Sequence, residues 1–165
     1  MNRKRQSFAL LLALAIAVLA AAAAAQEPKM VPRLLAGTMT GRFVFEGPAE
    51  GPWTSVGDLT GTLRHLGLSR MFTSHLADPA TGALNQGTFR IVAANGDEIH
   101  GTYTGVAAWV SGSQVLATAV LVIKGGTGRF AGATGTITAS FLETFDDPTY
   151  YSAKSDWTLS GIVNY

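Results

Sequence analysis

A strand-like pattern runs through the chain from residue 36 almost to its end. Apolar and polar side chains alternate there over short segments, with turn signals at intervals of about ten residues. None of these segments has the spacing of an amphipathic helix. Thr and Gly are abundant, which suits pleated strands and turns with positive φ. The eight candidate strands are 36–46, 57–65, 69–77, 88–94, 98–110, 114–124, 134–145 and 151–163.

These segments predict an all-β domain that is a single eight-stranded antiparallel β-barrel. Closure of the sheet removes its unpaired edges, and eight strands enclose an interior that side chains or one small ligand can fill. A two-sheet sandwich is the alternative that the pattern leaves open. In the first strand, Phe43 and Phe45 share one face and Val44 has the other. Asn95-Gly96 predicts a hairpin with a two-residue turn, because both turn positions need positive φ.

The N-terminal segment has the three parts of a secretory signal peptide. A basic start, Arg3 to Arg5, precedes an apolar run over 7–25 that ends in three alanines suited to cleavage before Gln26. The alternative is a retained membrane anchor, but the run ends in weakly apolar alanines and no basic residues follow closely. We therefore predict a cleaved signal peptide at 1–25, a tether at 26–34, a barrel domain at 35–165, and a secreted or periplasmic protein.

Charge and cysteine content exclude several classes of function. The chain has 12 Lys and Arg and 11 Asp and Glu; three of the basic residues lie in the signal peptide, which leaves 9 against 11. This balance offers no basic surface for nucleic acid or an anionic membrane. We expect no nucleic-acid partner and no stable membrane insertion after cleavage. With no cysteine, disulfides, thiol chemistry and cysteine-ligated metals are excluded.

The glycine-rich stretch "KGGTGRFAGATG" at 124–135 invites comparison with a phosphate-binding turn. Its part at 126–131 has the spacing of a dinucleotide-binding motif, which must follow a strand and open a helix. The residues that follow alternate with a period of two instead, which indicates a strand, and we expect no cofactor. The stretch is interpreted as a turn with a phenylalanine anchored in the core. This structural turn motif comprises Gly125, Gly126, Gly128, Arg129 and Phe130.

The same stretch resembles the Gly-Gly-Thr-Gly-Arg/Lys-Phe motif of plant dirigent proteins and of related small exported barrel proteins of bacteria. "RHLG" at 64–67, "AANGDEIHGTYTG" at 93–105 and "LSGIVNY" at 159–165 are similar to the bacterial group. The resemblance implies an allene-oxide-cyclase-like barrel of eight antiparallel strands and a homo-oligomer, since plant members often form trimers.

The resemblance also implies a shaped apolar pocket in the barrel lumen. Plant allene oxide cyclases isomerise a fatty-acid epoxide there, and dirigent proteins steer radical or quinone-methide coupling. The bacterial group is largely uncharacterised. Because the shared positions are structural ones, no functional residue is carried over to this chain.

Candidate site residues are few. Aromatic side chains in or beside strands suit a barrel core or a pocket wall, and Arg64 and His65 could add polar groups at its mouth. His65 and Glu143 are the nominees for catalysis, although Glu143 with Asp146 and Asp147 is more simply a solvated turn. The candidate ligand-lining residues are Trp53, Arg64, His65, Tyr103, Trp109 and Trp157.

Metal and hydrolase sites are not predicted. The histidines at 65, 75 and 100 are too far apart in sequence to give a local ligand spacing, so no metal is expected. No serine lies in a nucleophile elbow.

These observations favour a non-enzymatic protein that binds a small apolar ligand or a partner. The alternative is an isomerase or cyclase, or a dirigent-like protein that controls a reactive apolar substrate in the lumen. A structural protein with a packed lumen is a third hypothesis. A pocket that holds an acid opposite a Tyr or His would favour catalysis, and a pocket without an ionisable group would favour binding.

Overall fold

The computed structural model describes residues 29–48, 50–146, 149 and 151–165. The signal peptide predicted at 1–25 lies outside the described residues, as does the start of the predicted tether. Within the described part of the chain, no helix is long and apolar enough to cross a membrane.

The compact unit Val31–Tyr165 is an antiparallel barrel. Each strand pairs with its neighbours in the chain, and β1 pairs with β8 to close the sheet. This confirms the predicted eight-stranded barrel over the sandwich. The elements are β1 (Pro32–Glu46), β2 (Trp53–Leu63), β3 (Gly67–Ala77), β4 (Ala83–Val92), β5 (Glu98–Ser111), β6 (Gln114–Gly126), a one-turn 3-10 helix (Gly128–Phe130), β7 (Thr134–Phe145) and β8 (Ser152–Asn164).

The first strand starts earlier than the sequence pattern suggested. Pro32 pairs with Asn164 and Leu34 with Ile162, so the last three residues of the predicted tether belong to the barrel. Further along β1, Phe43 and Phe45 are buried and Val44 between them is exposed, as the alternation predicted. The apolar inward-facing residues of the eight strands form one core.

The middle of the lumen is filled by stacked aromatic rings. Trp157 lies parallel to Phe141, with ring centroids 3.9 Å apart, and also parallel to Phe43 at 6.0 Å. The indole Nε1 of Trp157 donates a hydrogen bond of 2.8 Å to the hydroxyl of Ser155. This layer separates the two ends of the barrel interior.

One end of the barrel, here called the closed end, carries the β2–β3, β4–β5 and β6–β7 connections. Phe130 is fully buried there and meets Tyr165 edge to face at 4.7 Å. This confirms the predicted anchor, and β7 rather than a long helix follows the glycine-rich turn. Gly128 has φ +55°, and a Cβ at this position would lie 1.8 Å from Asp97 Oδ1. A larger residue is therefore excluded by both conformation and space.

The β4–β5 hairpin forms, but the prediction of a two-residue turn was wrong. Val92 pairs with Glu98, which leaves five residues in the connection. The Gly96 N–H donates to the Ala93 carbonyl at 2.9 Å, and Gly96 has φ +87° while Asn95 has no positive φ. The Asn95 amide oxygen instead accepts from the Asp97 N–H at 3.2 Å, so a side chain stabilises the longer turn.

Candidate functional site

The other end, here called the open end, encloses a cavity of about 250 Å³ inside the barrel. Two ionisable side chains line the cavity from within strands: His75 from β3 and Glu143 from β7. These strands are four positions apart in a closed ring of eight, so they form opposite walls. The apolar lining is mainly aromatic and aliphatic: Phe45, Trp53, Leu84, Trp109, Val115 and Phe145.

A third ionisable residue, Asp78, lies at the rim where β3 ends. Its carboxylate accepts hydrogen bonds from the Ala80 N–H at 2.9 Å and from the Thr81 hydroxyl at 2.7 Å. The Thr81 and Ala80 hydrogen bonds hold the pKa of Asp78 below its usual value. Asp78 therefore stabilises the β3–β4 connection.

His75 is bound to Tyr103 inside the barrel. The ring Nδ1 lies 2.7 Å from the Tyr103 hydroxyl oxygen, and both side chains are buried. Burial lowers the pKa of His75 to about 4, so the imidazole is neutral at pH 7. Burial also raises the pKa of Tyr103 far above its usual value; nearby Thr73 opposes this shift, and the Glu143 carboxylate adds to it. The phenol thus keeps its proton.

Space for the Tyr103 ring comes from a bulge in the neighbouring strand β4. The β4–β5 register shifts between Leu84 and Gly87, and Gln86 adopts a positive φ of 54° within this irregularity. Gly87 then pairs with Tyr103, and a Cβ on Gly87 would lie 2.6 Å from the Tyr103 ring atom Cγ. Glycine at 87 is what allows a buried tyrosine to pack at this point of the wall.

Glu143 is a buried carboxyl group in the same cavity, with 5% of its surface exposed. Burial raises the pKa of Glu143 to about 8, so the neutral acid predominates at pH 7. Its Oε1 atom has no hydrogen-bond partner among the described residues. Glu143 therefore brings a polar group into an apolar wall, and one of its oxygens has no partner in the part of the chain that the structure describes.

Two buried hydroxyl groups in the same half of the lumen also lack a hydrogen-bond partner in the described chain. Within the described chain, Ser55 Oγ has no hydrogen-bond partner, and Thr73 Oγ1, although close to Tyr103, does not reach hydrogen-bond geometry. Ser55 stands beside His75 in the β2–β3 register. An unsatisfied buried polar group costs about 1–3 kcal/mol, so three of them in one half of the lumen need an explanation.

The prediction that Glu143 belongs to a solvated acidic turn was wrong. Its neighbours Phe141 and Phe145 point inward, and Glu143 has the same parity on β7. Asp146, one residue beyond the strand, is exposed and pairs with Arg42. Asp147 lies outside the described residues.

Of the six predicted ligand-lining residues, two line the cavity, two are packed beside or below it, and two lie at the other end of the barrel. Trp53 and Trp109 line the cavity, where Trp53 Nε1 donates to the Pro48 carbonyl at 2.8 Å and Trp109 stacks on Phe145. Tyr103 lies behind His75 as its hydrogen-bond partner, and Trp157 lies in the packed middle layer below the cavity.

Arg64 and His65 do not join this site. Both are exposed in the β2–β3 turn at the closed end, because β2 continues to Leu63 before the chain reverses. The structure therefore does not place His65 beside Glu143, and it does not place Arg64 at a pocket mouth. The His65 carbonyl accepts a hydrogen bond of 2.8 Å from the Arg129 guanidinium, which ties this turn to the glycine-rich one.

The residue that sequence reasoning missed is His75. Ser69, Met71 and Thr73 alternate with outward residues along β3, and His75 continues their inward series. Side chains alternate between inward and outward along each strand. Applying this alternation to the polar residues as well would have predicted that His75 and Glu143 both lie in the lumen. Among the described residues, no three His, Asp or Glu side chains are grouped as metal ligands.

The chain is similar to the solved structure of the pterocarpan synthase dirigent protein GePTS1, with a TM-score of 0.54 and 15% identity over 85% of this chain and 88% of that chain. The chain has a dirigent-like barrel. At this identity the likeness concerns the fold. No protein-family model matches the sequence, and no curated protein matches it either.

Proposed function

We propose that this dirigent-like barrel binds one small, largely apolar molecule that carries a neutral oxygen group. The observation that carries the proposal is the buried carboxyl of Glu143, with an unpartnered Oε1, in a mainly apolar cavity. Pockets of this kind use apolar walls for affinity and a few polar groups for orientation. A ligand oxygen that accepts the carboxylic acid proton would offset the cost of burying Glu143.

The size of the cavity limits the ligand to one or two rings. A dry cavity of about 150 Å³ accommodates benzene. The volume here, about 250 Å³, suits a somewhat larger molecule, and the aromatic walls offered by Trp109 and Phe145 suit a flat one.

The charge of the lining disfavours an anionic molecule. Among the described residues that line the cavity there is no Lys or Arg, and burial keeps both His75 and Glu143 uncharged at pH 7. An anionic ligand would lose its hydration without a cation to replace it. We therefore expect 2-naphthol to bind and the similarly shaped anion 2-naphthoate to be rejected.

Calorimetric titration with these two compounds tests the proposal. The protein is expressed with its own N-terminal segment and purified without detergent, and bound compounds are first sought by native mass spectrometry. We expect 2-naphthol to bind about tenfold or more tightly than 2-naphthoate, which corresponds to about 1.4 kcal/mol. Trp109→Ala should weaken 2-naphthol binding, while Thr118→Ala on the exposed face of β6 should leave it unchanged. Absence of any binding, or equal binding of both compounds, would contradict the proposal.

A second candidate function is catalysis by an isomerase or cyclase, or dirigent-like control of a reactive substrate. Its support is the arrangement expected above of a catalytic pocket: a carboxylic acid on one wall opposite a His–Tyr pair on the other, in a fold shared with a dirigent protein. The dirigent part is tested by adding the protein to a one-electron oxidation of isoeugenol. Chiral chromatography of the coupled products would show an enantiomeric excess if the lumen controls the coupling, and a racemic mixture if it does not.

A further inference from the structure

We propose that the cavity catalyses a proton shift on a neutral carbonyl compound, in which Glu143 moves the proton and His75 holds the carbonyl oxygen. The inference rests on the proposed function, because the same cavity must first bind the compound. It goes further by naming the substrate class, the reaction and the role of each wall. In the reactive pose the ligand oxygen lies at His75 and the carboxylate form of Glu143 faces the neighbouring carbon, whereas in the binding pose the acid form of Glu143 donates to the ligand oxygen. Three features carry it: the placement of the two side chains, the orientation of His75 by Tyr103, and the unpartnered oxygen of Glu143.

The placement gives each group its own side of a bound molecule. His75 on β3 and Glu143 on β7 line one cavity from opposite walls. A flat compound between the aromatic residues of that cavity can therefore meet a hydrogen-bond donor at its oxygen and a base at a neighbouring carbon. Proton abstraction next to a carbonyl needs this separation, since charge develops on oxygen while the proton leaves carbon.

Tyr103 sets the proton of the His75 ring. The Tyr103 hydroxyl is buried, and its hydrogen bond within the described chain is the one to His75 Nδ1. Thr73 Oγ1, the other oxygen close to the Tyr103 hydroxyl, does not reach hydrogen-bond geometry, so we assign the Tyr103 proton to Nδ1 of the neutral imidazole, which leaves the ring proton on Nε2. His75 thus offers an N–H group for a carbonyl oxygen. Tyr103 acts through His75 and is a positioning residue.

Glu143 has the properties of the proton carrier. Its Oε1 has no hydrogen-bond partner among the described residues, and the surrounding walls are mainly apolar. Burial raises the pKa of Glu143 to about 8, so acid and carboxylate are both accessible near neutral pH. A carboxylate with a raised pKa is a stronger base than one in water. The titratable groups around Glu143 are Tyr103 and His75 inside the lumen and Asp78 at the rim.

The reaction balances without a co-reactant. The Glu143 carboxylate takes a proton from the carbon next to the carbonyl, and the electrons of that C–H bond form the C=C bond of an enolate. The carbonyl π electrons move to oxygen, where the His75 Nε2–H group donates a hydrogen bond. The Glu143 acid then returns its proton to the same carbon, or to the far end of a conjugated double bond, and the carboxylate is restored.

Hydrogen exchange of 2-tetralone in D₂O tests the proposal. This neutral two-ring ketone has exchangeable hydrogens beside its carbonyl, and their loss is followed by ¹H NMR while binding is measured by calorimetry. We expect the wild-type protein to exceed an equal concentration of acetate by about a hundredfold or more. Glu143→Gln should remove this acceleration while the protein still binds 2-tetralone, and Thr118→Ala should match the wild type.

Two further readouts separate catalysis from a structural effect. The wild-type rate should rise with pH and level off near the pKa of Glu143, about 8. Tyr103→Phe should lower kcat with little change in KM, because the ring proton of His75 is no longer fixed on Nε2. A variant that had merely loosened the cavity would raise KM instead, which would contradict the positioning role.

The outcomes distinguish this inference from the proposed function. Binding of 2-tetralone without exchange above acetate would overturn the proton shift and leave the binding function standing. Exchange that survives Glu143→Gln would overturn the assignment of Glu143. If neither binding nor exchange of 2-tetralone is seen, and 2-naphthol does not bind, the proposed function itself is wrong.

Discussion

At the closed end of the barrel, Phe130 fills the space between the strands, whereas at the open end the corresponding space is left as the cavity between His75 and Glu143. The closed end also satisfies its buried hydroxyl, since Ser69 donates to the Gly67 carbonyl at 3.0 Å. At the open end, Ser55 has no such partner among the described residues.

The difference fits a division between a closed end that stabilises the fold and an open end where we propose the binding site. Apolar packing and paired polar groups stabilise a fold, while unpaired buried groups in a cavity cost free energy and persist where they serve a site. The aromatic layer formed by Trp157, Phe141 and Phe43 divides the lumen, so that changes at one end need not disturb the other.

The largest expected effect contrasts two phenylalanines. Phe130→Ala at the closed end should lower the free energy of unfolding by about 3–5 kcal/mol, because it opens a void in a packed region. Phe145→Ala at the open end should cost about half as much, since Phe145 already borders the cavity and loses fewer contacts. Urea denaturation followed by tryptophan fluorescence measures both. Equal losses would mean that the two ends are equally packed.

The sequence was sufficient for the barrel but only partly for the site. The alternation around Phe43 and Phe45 and the turn signals are local, and antiparallel neighbours follow from them, so strand number and closure were predictable. The Asn95-Gly96 turn was mispredicted because Asn95 uses its side chain to bond Asp97.

The site depends on which strands face each other across the lumen and on which end they face. Arg64 and His65 lie near a strand end, like Glu143, but at the opposite end of the barrel. Only the strand order brings His75 and Glu143 to opposite walls. The positive φ of Gln86 and the place it makes for Tyr103 depend on a bulge that no local signal announced.

A smaller effect on the free energy of unfolding is expected from pH. It distinguishes the two ends of the barrel, because the groups that cause it lie at the open end. Burial raises the folded-state pKa of Glu143 to about 8 from its usual 4.5, so its contribution to stability is complete at low pH and is lost as pH rises toward 8. His75, whose pKa burial lowers to about 4 from 6.5, contributes fully above pH 6.5 and loses its contribution as pH falls through 4.

Between about pH 4.5 and 6.5, Glu143 lowers the free energy of unfolding as pH rises and His75 raises it, so the two effects nearly cancel. Above pH 6.5 only the effect of Glu143 remains. We expect the free energy of unfolding to fall by about 2 kcal/mol from pH 6.5 to 8, at about 1.4 kcal/mol per pH unit. Glu143→Gln should flatten the curve in this window, and Thr118→Ala should retain the fall. A wild-type protein whose stability does not change from pH 6.5 to 8 would show that Glu143 is solvated in the folded state.

The smallest expected effect is also the most direct comparison of the two ends, because it uses the same substitution at each. Ser55→Ala removes a buried hydroxyl that has no partner in the described chain, so it should stabilise the protein by about 1 kcal/mol. Ser69→Ala removes a hydroxyl that donates to a carbonyl, so it should destabilise the protein by about the same amount.

Thermal and urea unfolding of both serine variants measure the change in the free energy of unfolding, and the sign of this change is what tests the prediction. Both residues are buried on neighbouring strands and lose the same atom, so side-chain size and strand propensity largely cancel. If Ser55→Ala were as damaging as Ser69→Ala, the Ser55 hydroxyl would have to be bonded to water or to a ligand. The effect of adding 2-naphthol to each variant would then separate these two cases, because only a ligand-bonded hydroxyl makes the affinity depend on Ser55.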